Sequence, residues 1–365
     1  MYIFILILLL TQICMVYSHR KIKLKFLKKS ADLDSLFLIL DIVLLWFVLS
    51  FKAQHVGTDT VTYEIVYHNA YTYLESGIRG LNWKYQPLYY VLFGTLETAG
   101  IAFKTALVII YIFAFVSLYH FINKFSRNKV LSVFFFFTLS MIDFYMSGLR
   151  QMIALSFGLW AMDFLYCKKK KSAIAAFVIA FLFHPSSAAL FPIFVLEIFG
   201  RKRRNLEFIM ISMWAVAALF PQSIFDFILS RAGYYSYYGI ENGVSTNILL
   251  LAVYLAIACF VLFTMRAKHW DEKKMIYLTP ISGLCICLWI FSTKNFYISR
   301  MAYYYQIPLF VVFAEALEKY TKRKEILFFI FITGLFILQY FIVSSIDSLN
   351  IRPYEFFWQA GEMWK

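Results

Sequence analysis

The sequence is poor in acid, cysteine and proline: of 365 residues only 21 are Asp or Glu, 7 are Pro and 5 are Cys. It contains no HExxH and no paired CxxC, so no metal set of the usual spacing is present. A P-loop and a GxGxxG turn are also missing, which argues against ATP-driven work. Asp32 and Asp34 form one DxD-like pair, "DLD", but it sits in a basic segment that reads as cytoplasmic. A nucleotide-sugar donor on the opposite side is therefore not expected. Cys14, Cys167, Cys259, Cys285 and Cys287 lie in or at the ends of apolar runs and make no plausible disulfide frame. They read as buried thiols. No cofactor is called for.

Apolar length is what the chain has in abundance. Hydrophobic residues make up 62% of it, where soluble domains are roughly half apolar. Apolar runs fall near 2–17, 36–51, 105–123, 129–142, 150–166, 172–184, 186–199, 206–221, 247–265, 275–292, 299–317 and 325–343. Runs of this kind without a period of two predict helices rather than a barrel. The expected fold is all-α: a polytopic membrane bundle of about twelve transmembrane helices, forming one integral domain over 1–365. Met1–Tyr17 lacks a basic n-region and a small-residue cleavage site, so it reads as a retained first helix.

The formal charge of +14 does not indicate nucleic acid, because the basic residues sit in short clusters between apolar runs. "HRKIKLKFLKK", "NKFSRNK", "CKKKK", "RKRR", "RAKHWDEKK" and "EKYTKRK" hold 25 of the 35 Lys and Arg residues. Clusters of this kind mark cytoplasmic loops. All six fall on one side if 85–100 lies in the interface as an amphipathic helix instead of spanning. The outer face then carries a loop over 52–104, a second loop over 222–246 and the tail 344–365. Short outer turns are expected at "DFYMSGLRQ", "FHPSS" and "STKNFYISR".

Two arginines stand at outer helix ends, against this bias. Arg150 follows Gly148 in "GLRQMIALSF" and opens a helix, where a guanidinium fork and the helix N-terminus together suit a lipid-linked phosphate. Snorkelling to lipid headgroups is the structural alternative. Arg300 begins a second helix, followed by Tyr303, Tyr304 and Tyr305, whose hydroxyls suit sugar. A diphosphate would use both arginines; the alternative pairs each with a carboxylate such as Asp59 or Glu64. His184, before Pro185, is either a general base or a polar cap at a helix hairpin. In "HVGTDTVTYE", Gly57 permits a tight turn, while Asp59 with Thr58 and Thr60 either caps the following helix or serves the site. Tyr63, Arg79 and Arg231 of the outer loops join Gly57, Glu64, Tyr303 and Tyr304 as candidate substrate-binding residues. Trp83, Tyr85, Tyr237 and Tyr238 are placed to stack on sugars.

The order of "VGTDTVTYE", "LRQMIALSF", "FLFHPSSAALFP" and "SRMAYYYQIPLF" over roughly residues 36 to 320 resembles the EpsG-like family. That family groups with the Wzy-type polymerases of bacterial polysaccharide repeat units. The resemblance implies an inner-membrane glycosyltransferase of GT-C-like architecture, with its active site facing the periplasm. Its substrate would be an oligosaccharide on undecaprenyl diphosphate. Its partners would be the bilayer and a chain-length regulator protein, with no nucleic acid. The family's arginine and histidine positions fall on Arg150, His184 and Arg300, and its GxD element on Gly57 and Asp59. Arg150, Arg300, His184 and Asp59 are then the catalytic candidates, with no metal ligands. An O-antigen ligase shares the same donor. A lipid-linked oligosaccharide flippase would need charges along a path through the membrane, whereas Asp163 and Glu315 lie toward the inner helix ends. A membrane acyltransferase would need a histidine deep in the membrane, on a cytoplasmic route.

Overall fold

The computed structural model describes residues 1–21, 33–70, 72, 86–198, 203–220, 244–265, 272–295, 298–321, 331, 334–335, 338 and 349–361. Among them the fold is helical, with one antiparallel bridge between Lys52 and Phe356. Among the described residues the first eleven apolar runs are largely helical, with 129–142 broken at Leu139–Ser140 and 186–199 beginning as a 3-10 turn. The twelfth lies almost wholly outside the described residues.

Three described helices are long and apolar enough to cross a membrane: Leu33–Ser50, Phe103–Phe125 and Lys273–Ser292. Lys129–Thr138 and Met141–Ser147, bent by 63° at their junction, make a fourth if they form one span. The chain is therefore a helical membrane protein.

The chain gathers into two compact units, Met1–Ser187 with Ile326–Lys365, and Ala188–Glu325. The first unit holds α1 (Tyr2–Lys21), α2 (Leu33–Ser50), α3 (Thr60–His68), α4 (Pro87–Thr98) and α5 (Phe103–Phe125). It continues with α6 (Lys129–Thr138), α7 (Met141–Ser147), α8 (Leu149–Tyr166) and α9 (Lys170–Phe183). Helix α2 packs on α5 and α6, α5 on α8, and α8 on α9. Apolar residues surround α2, so hydrophobicity alone does not separate its lipid face from its packed face. Its two acids do: Asp34 and Asp41 fall on the buried side with Leu38, Leu45 and Leu49, while Ile39, Leu40 and Val43 are exposed. The Asp34 carboxylate caps α6, accepting from the Lys129 and Val130 amides at 2.8 and 3.1 Å. Two otherwise unfilled helix-start donors are thereby satisfied from another helix.

Helices α8 and α9 meet closely because α9 buries Ala173, Ala176 and Ala180 together. In lipid, helices associate through packing, and small residues let backbones approach. At the end of this group where α8 gives way to α9, Asp163 of α8 meets His120 and Lys124 of α5. His120 Nε2 lies 3.1 Å from its carboxylate, and Lys124 forms an ion pair with it. His120 also stacks on Trp160, 4.4 Å between centroids. This buried acid is thus paired, as an intramembrane charge must be.

One expectation changes. "DFYMSGLRQ", expected as an outer turn, is mostly the helix α7, and α8 follows directly after Gly148. Ser140, in the left-handed region at φ 64°, breaks α6 from α7. The apolar Met141, Ile142, Phe144, Tyr145 and Met146 are then buried, which an exposed turn would not allow.

The second unit holds a 3-10 turn ending at Leu190, α10 (Phe191–Ile198), α11 (Arg203–Leu219), α12 (Val244–Met265), α13 (Glu272–Ser292) and α14 (Ser299–Thr321). Helix α13 packs on α11, α12 and α14. Trp214 donates to the Gly283 carbonyl at 3.0 Å, and Lys294 donates to the Ala217 carbonyl at 3.3 Å. A lysine on the last carbonyls of α11 offsets the negative end of that helix.

Candidate functional site

The site is built on the loop between α2 and α3. Lys52, only 5% exposed, donates to the Val56 carbonyl and the Thr60 hydroxyl, closing the loop on itself. The segment 349–357 straps it from one side. Gly57 and Thr58 amides donate to the Asn350 and Leu349 carbonyls at 3.0 and 2.9 Å. Ala53 donates to Glu355 at 2.8 Å, Phe357 to Phe51 at 3.1 Å, and the Tyr354 hydroxyl to Val48 at 2.6 Å.

On its other side the loop presses against the end of α7. Gly57 has φ +92°, and a Cβ there would sit 2.6 Å from the Met146 carbonyl oxygen. Thr58 Oγ1 is 2.9 Å from Ser147 Oγ. These contacts seat the Gly57–Asp59 turn next to the start of α8, where Arg150 is the second residue.

The half-buried Arg150 guanidinium lies over two tyrosine rings, 5.6 Å from Tyr63 and 5.5 Å from Tyr89. Those rings come from α3 and α4 and meet edge-on at 6.0 Å. One helical turn further on, Tyr67 and Phe93 repeat the contact at 5.1 Å. This aromatic ladder fixes α3 against α4, and it holds an arginine by cation–π attraction worth about 0.5–2 kcal/mol. Burial, reinforced by Tyr63, pushes the Tyr89 hydroxyl well above the usual tyrosine range, and Arg150 only partly offsets this. Tyr89 is therefore a donor at any working pH. The Asp59 carboxylate adds a little to the upward push.

Asp59 occupies the N-cap position of α3 but makes no side-chain cap bond. The turn is closed by backbone instead, with the Thr60 amide donating to the Gly57 carbonyl at 3.1 Å. The capping explanation of Asp59 thus fails, and its half-exposed carboxylate is available to the site. Glu64 faces elsewhere: it accepts from Gln54 and lies 4.0 Å from His68.

His184 ends α9 and is 7% exposed. Cys167–Lys169 join α8 to α9 tightly, with Lys168 at φ 62°, so the two helices run antiparallel. The start of α8 and the end of α9 therefore share one end of the unit. Phe183 stacks on Phe157 at 5.8 Å, seven residues or about 10 Å along α8 from Arg150. Ser186 engages His184 Nδ1 twice, with its hydroxyl at 2.6 Å and its amide at 3.3 Å. An amide can only donate, so Nδ1 accepts and the neutral ring carries its proton on Nε2.

Arg300, Tyr303 and Tyr304 lie in the second unit. Arg300 is exposed at the start of α14. Tyr303 is half-buried and edge-on to Trp289 at 6.5 Å. Tyr304 is core. Tyr305 is also core, with its hydroxyl donating to the Ala189 carbonyl. Arg79 and Arg231 fall outside the described residues, as do Trp83, Tyr85, Tyr237 and Tyr238.

Sequence reasoning missed Lys52, Tyr89, Ser147, Ser186 and the strap. Tyr89 had a signal: "YEIVY" and "YYVLF" each repeat an aromatic four residues on, as two helices in aromatic register require. The strap had little, because the contacts that hold the Gly57 turn are backbone ones.

Fold and site together define a helical membrane protein with a polar, arginine-centred site at one end of a helical unit. The chain belongs to the EpsG family, which matches residues 35–356. That span takes in the site residues and most of the strap. No curated protein and no solved structure matches the chain. Membership of this family suggests a polysaccharide polymerase with glycosyltransferase-like activity.

Proposed function

We propose that this protein polymerises oligosaccharide repeat units carried on undecaprenyl diphosphate, at the outer face of a bacterial inner membrane. In this reading it is a GT-C-like enzyme of about twelve passes, with 87–98 lying in the interface. One observation supports it above the others: a half-buried guanidinium at a helix start, between two tyrosines, with a carboxylate-bearing turn seated beside it. That arrangement suits an anion at Arg150 and a proton acceptor nearby.

The step is a single displacement. An acceptor hydroxyl oxygen attacks sugar C1, and the bond from C1 to the phosphate oxygen breaks. The diphosphate leaves on its polyprenyl chain, and the hydroxyl proton passes to Asp59. Inversion at C1 follows. Arg150 stabilises the charge growing on the leaving group, a contribution commonly worth about 10²–10³ in rate. Because Nδ1 of His184 is occupied by Ser186, this histidine donates from Nε2 and positions a sugar oxygen, leaving Asp59 as the base. Arg300 is carried as a second cation on sequence grounds.

The test is Arg150→Ala in the native host, read as glycan length. The variant should insert normally but give single-unit surface glycan, with Arg150→Lys intermediate because it keeps the charge and loses the fork. Long chains in the alanine variant would refute the phosphate site.

A further inference from the structure

The buried Tyr89 hydroxyl belongs to a ring that lies against the Arg150 guanidinium. Tyr89 is 1% exposed, and its hydroxyl has no hydrogen-bond partner among the described residues. Tyrosine hydroxyls buried to this degree normally find one, and leaving a donor unfilled costs about 1–3 kcal/mol. The neighbouring tyrosine of α3, Tyr67, is equally buried but donates to the Ile101 carbonyl. The Ser187 hydroxyl, beside His184 at the same end, is buried and unfilled as Tyr89 is. Unfilled buried donors also occur elsewhere among the described residues, as at Tyr145 and Thr279, so it is the position of Tyr89 against Arg150, and not the lack of a partner alone, that marks it.

We propose that Tyr89 is a substrate-binding residue whose hydroxyl donates to a phosphate oxygen of the polyprenyl diphosphate held by Arg150. The inference rests on the reading of the site given above and adds a second donor to it. The geometry carries it. The Tyr89 ring is 5.5 Å from the guanidinium carbon, so one anion beside Arg150 is within reach of both groups. Tyr63 braces the ring edge-on, which fixes the hydroxyl before the ligand arrives. A neutral donor adds affinity without a second buried charge. The left-handed Gln86 and Pro87 start α4 abruptly and set Tyr89 in its first turn.

Tyr89→Phe removes the hydroxyl and keeps the ring under Arg150. The full chain, solubilised in detergent, is titrated with geranylgeranyl diphosphate and separately with phosphatidylglycerol, and its Tm is measured without ligand. The expected result is about tenfold or greater loss of affinity for the diphosphate, as for one hydrogen bond to a charged group. Phosphatidylglycerol binding should not change, and the ligand-free Tm should hold or rise, because an unfilled buried donor has been removed. Unchanged diphosphate affinity, with or without a lower Tm, overturns the inference and makes the hydroxyl structural. An equal loss toward phosphatidylglycerol also overturns it, placing a bilayer headgroup at the site. A wild-type chain that does not bind the diphosphate at all overturns the reading of the site itself.

Discussion

Gly57 carries two independent constraints. Its φ of +92° is one that residues with a Cβ rarely adopt, and the space a Cβ would need is taken by the Met146 carbonyl at 2.6 Å. The first costs about 1–2 kcal/mol. The second can be relieved only by moving backbone, which separates Thr58 from Ser147 and shifts Asp59 relative to Arg150. Gly57→Ala should therefore insert in the membrane yet lose polymer formation, with stability lowered by about 2 kcal/mol or more. Glycan gels and thermal unfolding of the purified protein check both halves. Gly148 differs, because its added Cβ would meet only the Phe144 ring, a side chain that can turn. The need for a glycine at 57 was legible in the sequence as a tight turn. The Met146 contact was not, because it depends on where α7 ends. Arg150 was legible as a charge out of place, but its tyrosine neighbours come from two other helices. The two readings of Asp59 could be separated only by geometry, since a capping aspartate and a working one look alike in sequence.

Among the elements, the segment 349–357 bears most directly on the site. It supplies carbonyl acceptors for Ala53, Gly57 and Thr58, and Tyr354 ties it to the end of α2. Each such bond contributes about 0.5–1.5 kcal/mol, and together they hold a loop that has little apolar surface of its own to bury. Phe47, Phe51, Phe356 and Trp358 add a cluster of rings, with Phe356 and Trp358 stacked at 4.4 Å. Truncation after residue 348 should leave an inserted chain that makes no polymer. Truncation after Ala360 should keep near-normal chain length. Matching loss in both variants would show that the strap is not what matters. The sequence identified this region only as an outer tail, since backbone hydrogen bonds leave no trace in residue type. Spanning helices were far more legible, because each needs a long apolar run. Their breaks were less so: the 63° bend at Ser140 occurs in a stretch that reads as continuous.

At the scale of the whole molecule, the side of the membrane that Arg150 faces decides whether the proposed chemistry is possible. The charge pattern gives one answer: 25 of 35 basic residues fall in six clusters, all on one side if α4 does not span. Helix α4 has 12 residues, about 18 Å of rise against a hydrocarbon core of about 30 Å, so it is too short to cross unaided. Asp34 and Lys129 meet at one end of the first unit, and both sit beside such clusters. The Gly57 turn and Arg150 lie at the opposite ends of α2 and α8 from the basic segments that flank those helices. Reporter fusions after residues 171, 204 and 324 should therefore all report cytoplasm, and a fusion after Asn69 should report the outside. The Asn69 fusion is the sharpest of the four, because it sits between the site loop and α4. A cytoplasmic signal there would put Asp59 and Arg150 on the inner face. A carrier presenting its sugar outside would then never meet them, and the polymerase reading would have to be abandoned whatever the arginine variants show.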